Sequence, residues 1–137
     1  MLRARNKNTA KTSELPGQNI STGLDCESIS RIQYLIQKKT FIKRVFTEEE
    51  ASCSLKKKNP AKDFAGRFAA KEACMKALGT GLTEGLSWRD IEVIYNSDGS
   101  PGLILTGKAG AMVPEDKKIF LSLSYGAGLA AAFVLIV

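Results

Sequence analysis

An acidic and a basic side chain stand four residues apart near the middle of the chain, inside an alanine-rich run from Phe68 to Leu78. In a helix, Glu72 and Lys76 would project from the same face, one turn apart. A carboxylate beside an ammonium group on a rigid helix could bind a divalent cation and a phosphate side by side. Glutamate–lysine pairs at this spacing are also common stabilisers of exposed helices, so spacing alone favours the ordinary interpretation.

Further polar and glycine-containing groups surround this pair in a set order. Gly23-Leu24-Asp25 lies near the start of the chain, and Phe64-Ala65-Gly66-Arg67 precedes the pair. Leu78-Gly79-Thr80-Gly81-Leu82 follows it, and Leu121-Ser122-Leu123-Ser124-Tyr125 comes close to the end. Each group alone has an ordinary explanation; Asp25, for example, would by itself be interpreted as a helix cap.

This ordered set resembles the short, holo-[acyl-carrier-protein] synthase type of phosphopantetheinyl transferase. The family pattern is an early Gly-x-Asp, a central Arg-Phe-Ala-x-Lys-Glu-Ala-x-x-Lys-Ala-Leu-Gly-Thr-Gly and a late Ser-x-Ser-His. The resemblance covers about Ile20 to Val137 and departs from the pattern where Tyr125 replaces the usual His. It implies an α+β fold and, in the short type, a trimer with active sites between protomers.

The resemblance implies a reaction and the residues at its centre. The family transfers the phosphopantetheine arm of coenzyme A to a serine of an apo acyl carrier protein and releases adenosine 3',5'-bisphosphate. By resemblance, Asp25 and Glu72 bind Mg²⁺, a hard cation that prefers oxygen ligands and shares them with phosphates. Glu72 and Lys76 are the implied catalytic residues, with Lys76 neutralising the pyrophosphate. The serine proton would pass to a water on the cation or to Glu72; the sequence does not choose between them.

The resemblance also implies contacts to both substrates. Arg31 and Lys38, on the first predicted helix, are implied to meet the acidic carrier protein. Ordinary alternatives stay open for some of the implied coenzyme A contacts: Arg67 would pair with a nearby acid, Lys71 would face solvent, and Gly79 would end the helix. The full set of implied coenzyme A contacts is Arg67, Lys71, Gly79, Gly81, Ser124 and Tyr125.

Tyr125 is the departure that bears most on activity. A tyrosine hydroxyl donates the hydrogen bond that an imidazole would donate, but it stays neutral near pH 7 because its ordinary pKa is about 10. We hypothesise that this residue binds coenzyme A and is not a required base. The alternative is a catalytically weak homologue that binds coenzyme A or the carrier protein.

Composition agrees with a single small enzyme domain. A chain of 137 residues, 44% of them hydrophobic, is long enough for one core. The chain has no histidine, which excludes His-based triads and His-containing zinc sites. Cys26, Cys53 and Cys74 share no paired or metal-ligand spacing, which suits a reducing compartment. No apolar run approaches the roughly 20 residues that a membrane helix needs.

The net charge of +6 is unevenly distributed. Residues 1–18 carry four basic residues and one acidic residue, show no helical or strand period, and are interpreted as a disordered basic extension before a domain over 19–137. An organellar transit peptide and a sequence added for expression are the alternatives for this extension. A cytoplasmic location is expected, and an organelle is the alternative if the extension is a transit peptide. A small basic nucleic-acid-binding protein is a rival class, but aromatic residues interleaved with the basic ones are lacking.

Hydrophobic periodicity predicts an α+β domain in which a small, largely antiparallel sheet packs on a long central helix. The predicted helices cover residues 28–38, with Ser28 as the cap, and a segment from Thr47 to the lysines at 56–58, with Thr47 and Glu50 as a capping box. Two further predicted helices cover the central segment from Pro60 to Leu78 and residues 108–112. The predicted strands cover 20–25, 91–95, 103–106, 118–124 and 129–137.

Overall fold

The structure, a computed structural model, describes residues 19–82 and 85–137; the predicted extension at residues 1–18 lies outside them. The first half of the chain contains β1 (Ser21–Ser28), α1 (Ile29–Leu35), α2 (Lys39–Val45), α3 (Glu48–Leu55) and α4 (Pro60–Ala77). The second half contains a 3₁₀ turn (Trp88–Asp90), β2 (Ile91–Tyr95), β3 (Pro101–Leu105), α5 (Gly107–Ala111), β4 (Ile119–Gly126) and β5 (Leu129–Ile136).

The strands form two antiparallel units. The last strand lies in the middle of a three-stranded sheet with the order β1-β5-β4, and β2 pairs with β3 in a separate hairpin. In β5 every second side chain is buried, from Ala130 to Ile136, because one face of the sheet packs on α4. The α+β class and the antiparallel sheet on a central helix are therefore confirmed.

Helix α4 is the element around which the domain is built. Pro60 occupies its first turn, and the Asn59 side chain accepts a hydrogen bond from the Lys62 amide, 3.2 Å away. Thirteen of its 18 residues are buried. Six of those thirteen are alanine, and small side chains allow the helix to lie close to the sheet.

The helix ends as its sequence predicts. The amide of Gly79 donates to the Lys76 carbonyl and that of Thr80 donates to the Met75 carbonyl, both at 3.0 Å. Gly79 has φ of +73°. This paired arrangement is a Schellman motif, in which a left-handed residue after the helix is most easily supplied by glycine.

The predicted helix over residues 28–38 is present as α1 but ends early, at Leu35, and a helix that the sequence did not predict, α2, follows it. Ser28 caps the first as predicted, accepting from the Arg31 amide at 3.2 Å, but the chain turns after Leu35 and a second helix begins at Lys39. The turn brings Phe41 and Val45 into the core beside Ile32. A straight helix continued from α1 would place Phe41 and Val45 on the face opposite Ile32, so burial of all three together requires the break. Strand β1 also extends to Ser28, beyond the predicted end at Asp25, because β5 pairs along its whole length.

A buried ion pair joins three elements of the domain. Glu50 of α3 and Lys71 of α4 are both buried, with 2.8 Å between Oε2 and Nζ. The other Glu50 oxygen accepts from the Val93 amide of β2 at 2.8 Å, and Lys71 donates to the carbonyls of Ile91 and Trp88. Glu50 also completes the predicted capping box with Thr47. Burial lowers the pKa of Lys71, and Glu50 opposes that effect.

Among the described residues, none of the helices has the length and apolar character needed to cross a membrane.

Candidate active site between the first strand and the central helix

The close contact between β1 and α4 depends on Gly23. A Cβ at this position would lie 1.7 Å from the Ala73 carbonyl oxygen and 2.8 Å from the Ala77 amide nitrogen. Only a residue without a side chain lets the strand approach the helix backbone so closely. Since Asp25 is on the same face of β1 as Gly23, this approach places its carboxylate beside the C-terminal half of α4.

Gly23→Ala is therefore expected to destabilise the fold by at least about 1–3 kcal/mol, the usual cost of overpacking a core. Urea unfolding followed by circular dichroism measures this change. Gly126→Ala is the matched control, because a Cβ there meets nothing within 4 Å. Equal unfolding midpoints for the two variants would contradict the assigned role of Gly23.

Asp25 and Lys76, which lie far apart in the sequence, meet at this contact. The Lys76 ammonium lies 3.1 Å from Asp25 Oδ1 and donates to the Leu24 carbonyl at 2.9 Å. The Lys76 side chain is 54% exposed and that of Asp25 is 11% exposed. An ammonium group that is held by two hydrogen bonds and is still exposed to solvent can bind an anion that arrives from solvent.

The carboxyl oxygens at this contact suit a hard cation. Asp25 Oδ2 is buried and accepts no hydrogen bond from any residue that the structure describes, which is unusual for a buried polar atom. Glu72 lies one turn before Lys76. Burial is the largest cause of the raised pKa of Glu72, and the nearby Asp25 carboxyl raises this pKa further. Lys76 and Arg31 lower it. Within residues 19–82 and 85–137 no group of three or more acidic or cysteine side chains forms a complete metal cage. A cation on Asp25 and Glu72 would therefore take other oxygens from water or substrate, as Mg²⁺ commonly does.

Two of the predicted coenzyme A contacts are engaged inside the domain. Arg67 is buried; its Nε donates to Asp63 Oδ2 at 2.9 Å, and its Nη1 donates to the Val93 carbonyl at 2.7 Å. This is the predicted alternative of pairing with a nearby acid. Lys71 is buried in the ion pair with Glu50 and does not face solvent. A contact of either cation with coenzyme A would require it to leave these partners.

The remaining predicted coenzyme A contacts lie at two separate places. Gly79 and Gly81 follow the C-terminus of α4, and a Cβ at either position would meet none of the described residues within 4 Å. Ser124 and Tyr125 are neighbours on β4, where successive side chains point to opposite faces. Tyr125 is on the face toward α4, and Ser124 is on the outer face.

Tyr125 borders a cavity of about 840 Å³ that contains several lysines. Its ring lies 4.9 Å from the Lys62 ammonium, and Lys57 and Lys58 line the same cavity. A Cβ at Gly66 would lie 2.1 Å from the Tyr125 hydroxyl oxygen, so the absent side chain at Gly66 makes room for the tyrosine. Burial and the neighbouring Tyr95 raise the pKa of Tyr125 above its ordinary value, which keeps the hydroxyl neutral.

The two predicted carrier-protein contacts are exposed and lie near the start of the helical segment. The Arg31 side chain, on α1, is 62% exposed, and its Nη1 lies 3.1 Å from Glu27 Oε2. Lys38 immediately precedes α2, and its ammonium lies 5.3 Å from the centre of the Tyr34 ring. Both cations are therefore presented on one short stretch of surface chain.

A family model described as the 4'-phosphopantetheinyl transferase superfamily matches residues 21–133. The chain belongs to this superfamily. Among the curated relatives of this superfamily member, a protein of Geotalea daltonii named holo-[acyl-carrier-protein] synthase is 44% identical over 119 residues, covering 84% of this chain and 95% of the relative. A protein of the same name from Caldanaerobacter subterraneus is 42% identical, with coverages of 86% and 94%.

Solved structures of the superfamily agree with the fold. A holo-(acyl-carrier-protein) synthase from Bacillus anthracis in complex with CoA (3',5'-ADP) superposes with a TM-score of 0.71 and 33% identity, over 85% of this chain and 94% of that one. The Helicobacter pylori enzyme in complex with coenzyme A gives a TM-score of 0.73 and 30% identity, over 85% and 99%. The resemblance that the sequence motifs indicate is thereby confirmed.

The sequence motifs miss two buried acidic residues of this superfamily member, Glu27 and Glu50. Glu27 is buried beside Asp25, and burial together with the Asp25 carboxyl raises its pKa to about 7. The i,i+2 spacing from Asp25 in a strand was the signal that could have identified it, since both side chains share a face. Glu50 was predicted only as a capping residue, and nothing in its local sequence indicates its partner Lys71.

Proposed function

We propose that this chain transfers the 4'-phosphopantetheine group from coenzyme A to a serine hydroxyl of an apo acyl carrier protein. The products are the holo carrier protein, adenosine 3',5'-bisphosphate and the proton released by the serine. The observation that carries the proposal is the meeting of Asp25, Glu72 and Lys76 at the contact of β1 with α4. The names of the similar proteins, and the coenzyme A complexes of two of them, support it.

The three central residues have complementary roles in this proposal. Asp25 and Glu72 would bind Mg²⁺, and Asp25 Oδ2, buried without a partner, is suited to that bond. When bound, Mg²⁺ stabilises negative charge on the reacting phosphate oxygens. The exposed ammonium of Lys76 orients the pyrophosphate and stabilises the leaving phosphate, while its bond to the Leu24 carbonyl fixes its position.

The coenzyme A contacts are proposed at the glycines after α4 and at the cavity beside Tyr125. Gly79 and Gly81 leave the backbone open to a ligand, and Tyr125 offers a neutral hydroxyl and a ring. Ser124, on the outer face of β4, can reach coenzyme A only from that side. Arg67 and Lys71 are proposed to support the coenzyme A site indirectly, through their ion pairs with Asp63 and Glu50.

The carrier protein and two further copies of the chain are the proposed macromolecular partners. Arg31 and Lys38 offer positive charge to an acidic carrier. The outer face of the three-stranded sheet exposes Leu24, Phe120 and Phe133, and their coverage by other copies would account for a homotrimer. The proposed setting is fatty acid biosynthesis in the cytoplasm, or in an organelle if residues 1–18 are a transit peptide.

Intact mass spectrometry tests the proposed reaction directly. An apo acyl carrier protein incubated with the chain, coenzyme A and Mg²⁺ is expected to gain the mass of one phosphopantetheine, and EDTA is expected to prevent the gain. A carrier whose acceptor serine is replaced by alanine is the control. No gain with any apo carrier protein would contradict the proposal.

A second candidate function, a coenzyme A-binding or carrier-binding homologue with weak activity, is favoured by Tyr125 alone. If Tyr125 only binds, Tyr125→Phe should retain activity within about tenfold, since one neutral hydrogen bond contributes roughly 0.5–1.5 kcal/mol. Because its pKa is raised, Tyr125 should also produce no transition in the rate between pH 6 and 9. Steady-state rates across that range measure both, with Tyr125→His as the comparison. A gain of several orders of magnitude in Tyr125→His would favour the second candidate.

A further inference from the structure

Glu27 is a buried acidic residue outside the predicted catalytic set. It lies two residues after Asp25 in β1, so both side chains occupy the strand face that packs on α4. Glu27 is buried. A carboxylate this deeply buried is unfavourable unless other groups compensate it, so its neighbours indicate what it does.

One neighbour of Glu27 is the proposed carrier contact. Arg31 Nη1 lies 3.1 Å from Glu27 Oε2, and the two side chains differ sharply in exposure, 62% for Arg31 and 10% for Glu27. The guanidinium therefore contacts a buried carboxyl group through Nη1 while most of the Arg31 side chain is exposed to solvent. A guanidinium held in this way is pre-oriented for an acidic partner.

The other neighbours of Glu27 are the two proposed cation ligands. Burial is the larger cause of the raised pKa of Glu27, the Asp25 carboxyl is the next, Glu72 adds to it, and Arg31 opposes it. Asp25 Oδ2 lacks a partner on the same face of the strand. Three carboxyl groups and two cations, Arg31 and Lys76, thus meet at the contact of β1 with α4.

We propose that Glu27 is a positioning residue that couples binding of the acidic carrier protein to binding of the divalent cation. This inference rests on the proposed function, because it takes Arg31 as a carrier contact and Asp25 and Glu72 as cation ligands. Glu27 is placed between them and interacts with both sides. It does not need to bind the cation itself.

The coupling follows from the distribution of charge. A cation on Asp25 and Glu72 compensates negative charge that Arg31 otherwise compensates, so it weakens the pair of Arg31 with Glu27 and makes the guanidinium available to the carrier. Conversely, a carrier that draws Arg31 away leaves the carboxyl groups short of positive charge and tightens cation binding. The two effects must be equal, because coupling between two ligands is reciprocal.

Calorimetric titration of the carrier, with and without the cation, tests the coupling. The probe is an acyl carrier protein that wild type modifies, with its acceptor serine replaced by alanine so that no transfer occurs. For wild type, saturating Mg²⁺ is expected to lower the Kd of this carrier at least about fivefold relative to EDTA. Glu27→Gln keeps the size of the side chain and removes its charge, so its two Kd values should agree. Glu48→Gln, the same change at an exposed position on α3, should keep the wild-type ratio.

The ratio of the two Kd values separates coupling from a purely structural role. Loss of a structural contact would weaken carrier binding equally with and without Mg²⁺. If Glu27→Gln does not fold, Arg31→Gln removes the other end of the pair and should also abolish the ratio. The inference is overturned if Mg²⁺ lowers the Kd of either variant as much as that of wild type, or if Mg²⁺ leaves the wild-type Kd unchanged. Because the carrier chosen is one that wild type modifies, a missing ratio would overturn the coupling without affecting the proposed reaction.

Discussion

Asp25→Asn is expected to lower the rate of phosphopantetheine transfer about 10²–10³-fold, because it removes the carboxylate charge from the oxygen best suited to the cation. A catalytic cation is worth several kcal/mol, and each 1.4 kcal/mol corresponds to about a tenfold change in rate. Asparagine keeps the shape of the side chain, and Lys76 keeps its bond to the Leu24 carbonyl. The variant should therefore fold like wild type.

The measurement is the rate of carrier modification at a series of Mg²⁺ concentrations, together with Mg²⁺ binding by calorimetry. Asp25→Asn should need far more Mg²⁺ to reach its maximum and should bind the ion more weakly. Asp98→Asn, on the exposed turn between β2 and β3, is the matched control and should behave as wild type. Wild-type Mg²⁺ dependence in Asp25→Asn would exclude Asp25 as a cation ligand.

Lys71→Met is expected to destabilise the fold by about 3–5 kcal/mol, the usual result of removing one partner from a buried ion pair. The substitution leaves Glu50 buried with a negative charge that only the amides of Thr47 and Val93 compensate. The double variant Lys71→Met with Glu50→Gln should be destabilised by less than the sum of the single variants, because the uncompensated charge is then gone. Urea unfolding of the four proteins gives the coupling energy directly.

Lys62→Met is the matched control for that experiment, since Lys62 is exposed on the same helix. Equal stability of Lys71→Met and Lys62→Met would contradict a structural role for the buried pair. The KM for coenzyme A adds a second criterion. If Lys71→Met raises this KM without loss of stability, Lys71 contacts coenzyme A as the resemblance implies, and its bond to Glu50 is broken when the substrate binds.

The helix predictions show where local sequence is sufficient. Pro60, the alanine run and Gly79 determine the start, the body and the end of α4, because helix propensity and capping are local properties. Ser28 and Thr47 act as caps for the same reason. The helix predicted over 28–38 ends early, at Leu35, because the turn after it serves the burial of Phe41 and Val45, which is a requirement of the core and not of the local residues.

The candidate site divides in the same way. Residue types and their order were enough to assign the family and to select Asp25, Glu72 and Lys76, since a phosphate-transfer site needs carboxylates and an ammonium group at set places. The tertiary structure decided which polar groups are free to act: it brings Lys71 to Glu50, Arg67 to the Val93 carbonyl and Lys76 to Asp25. These contacts depend on how closely β1, α3 and β2 approach α4. Such distances follow from packing of the whole core, as at Gly23, and no local pattern in the sequence encodes them.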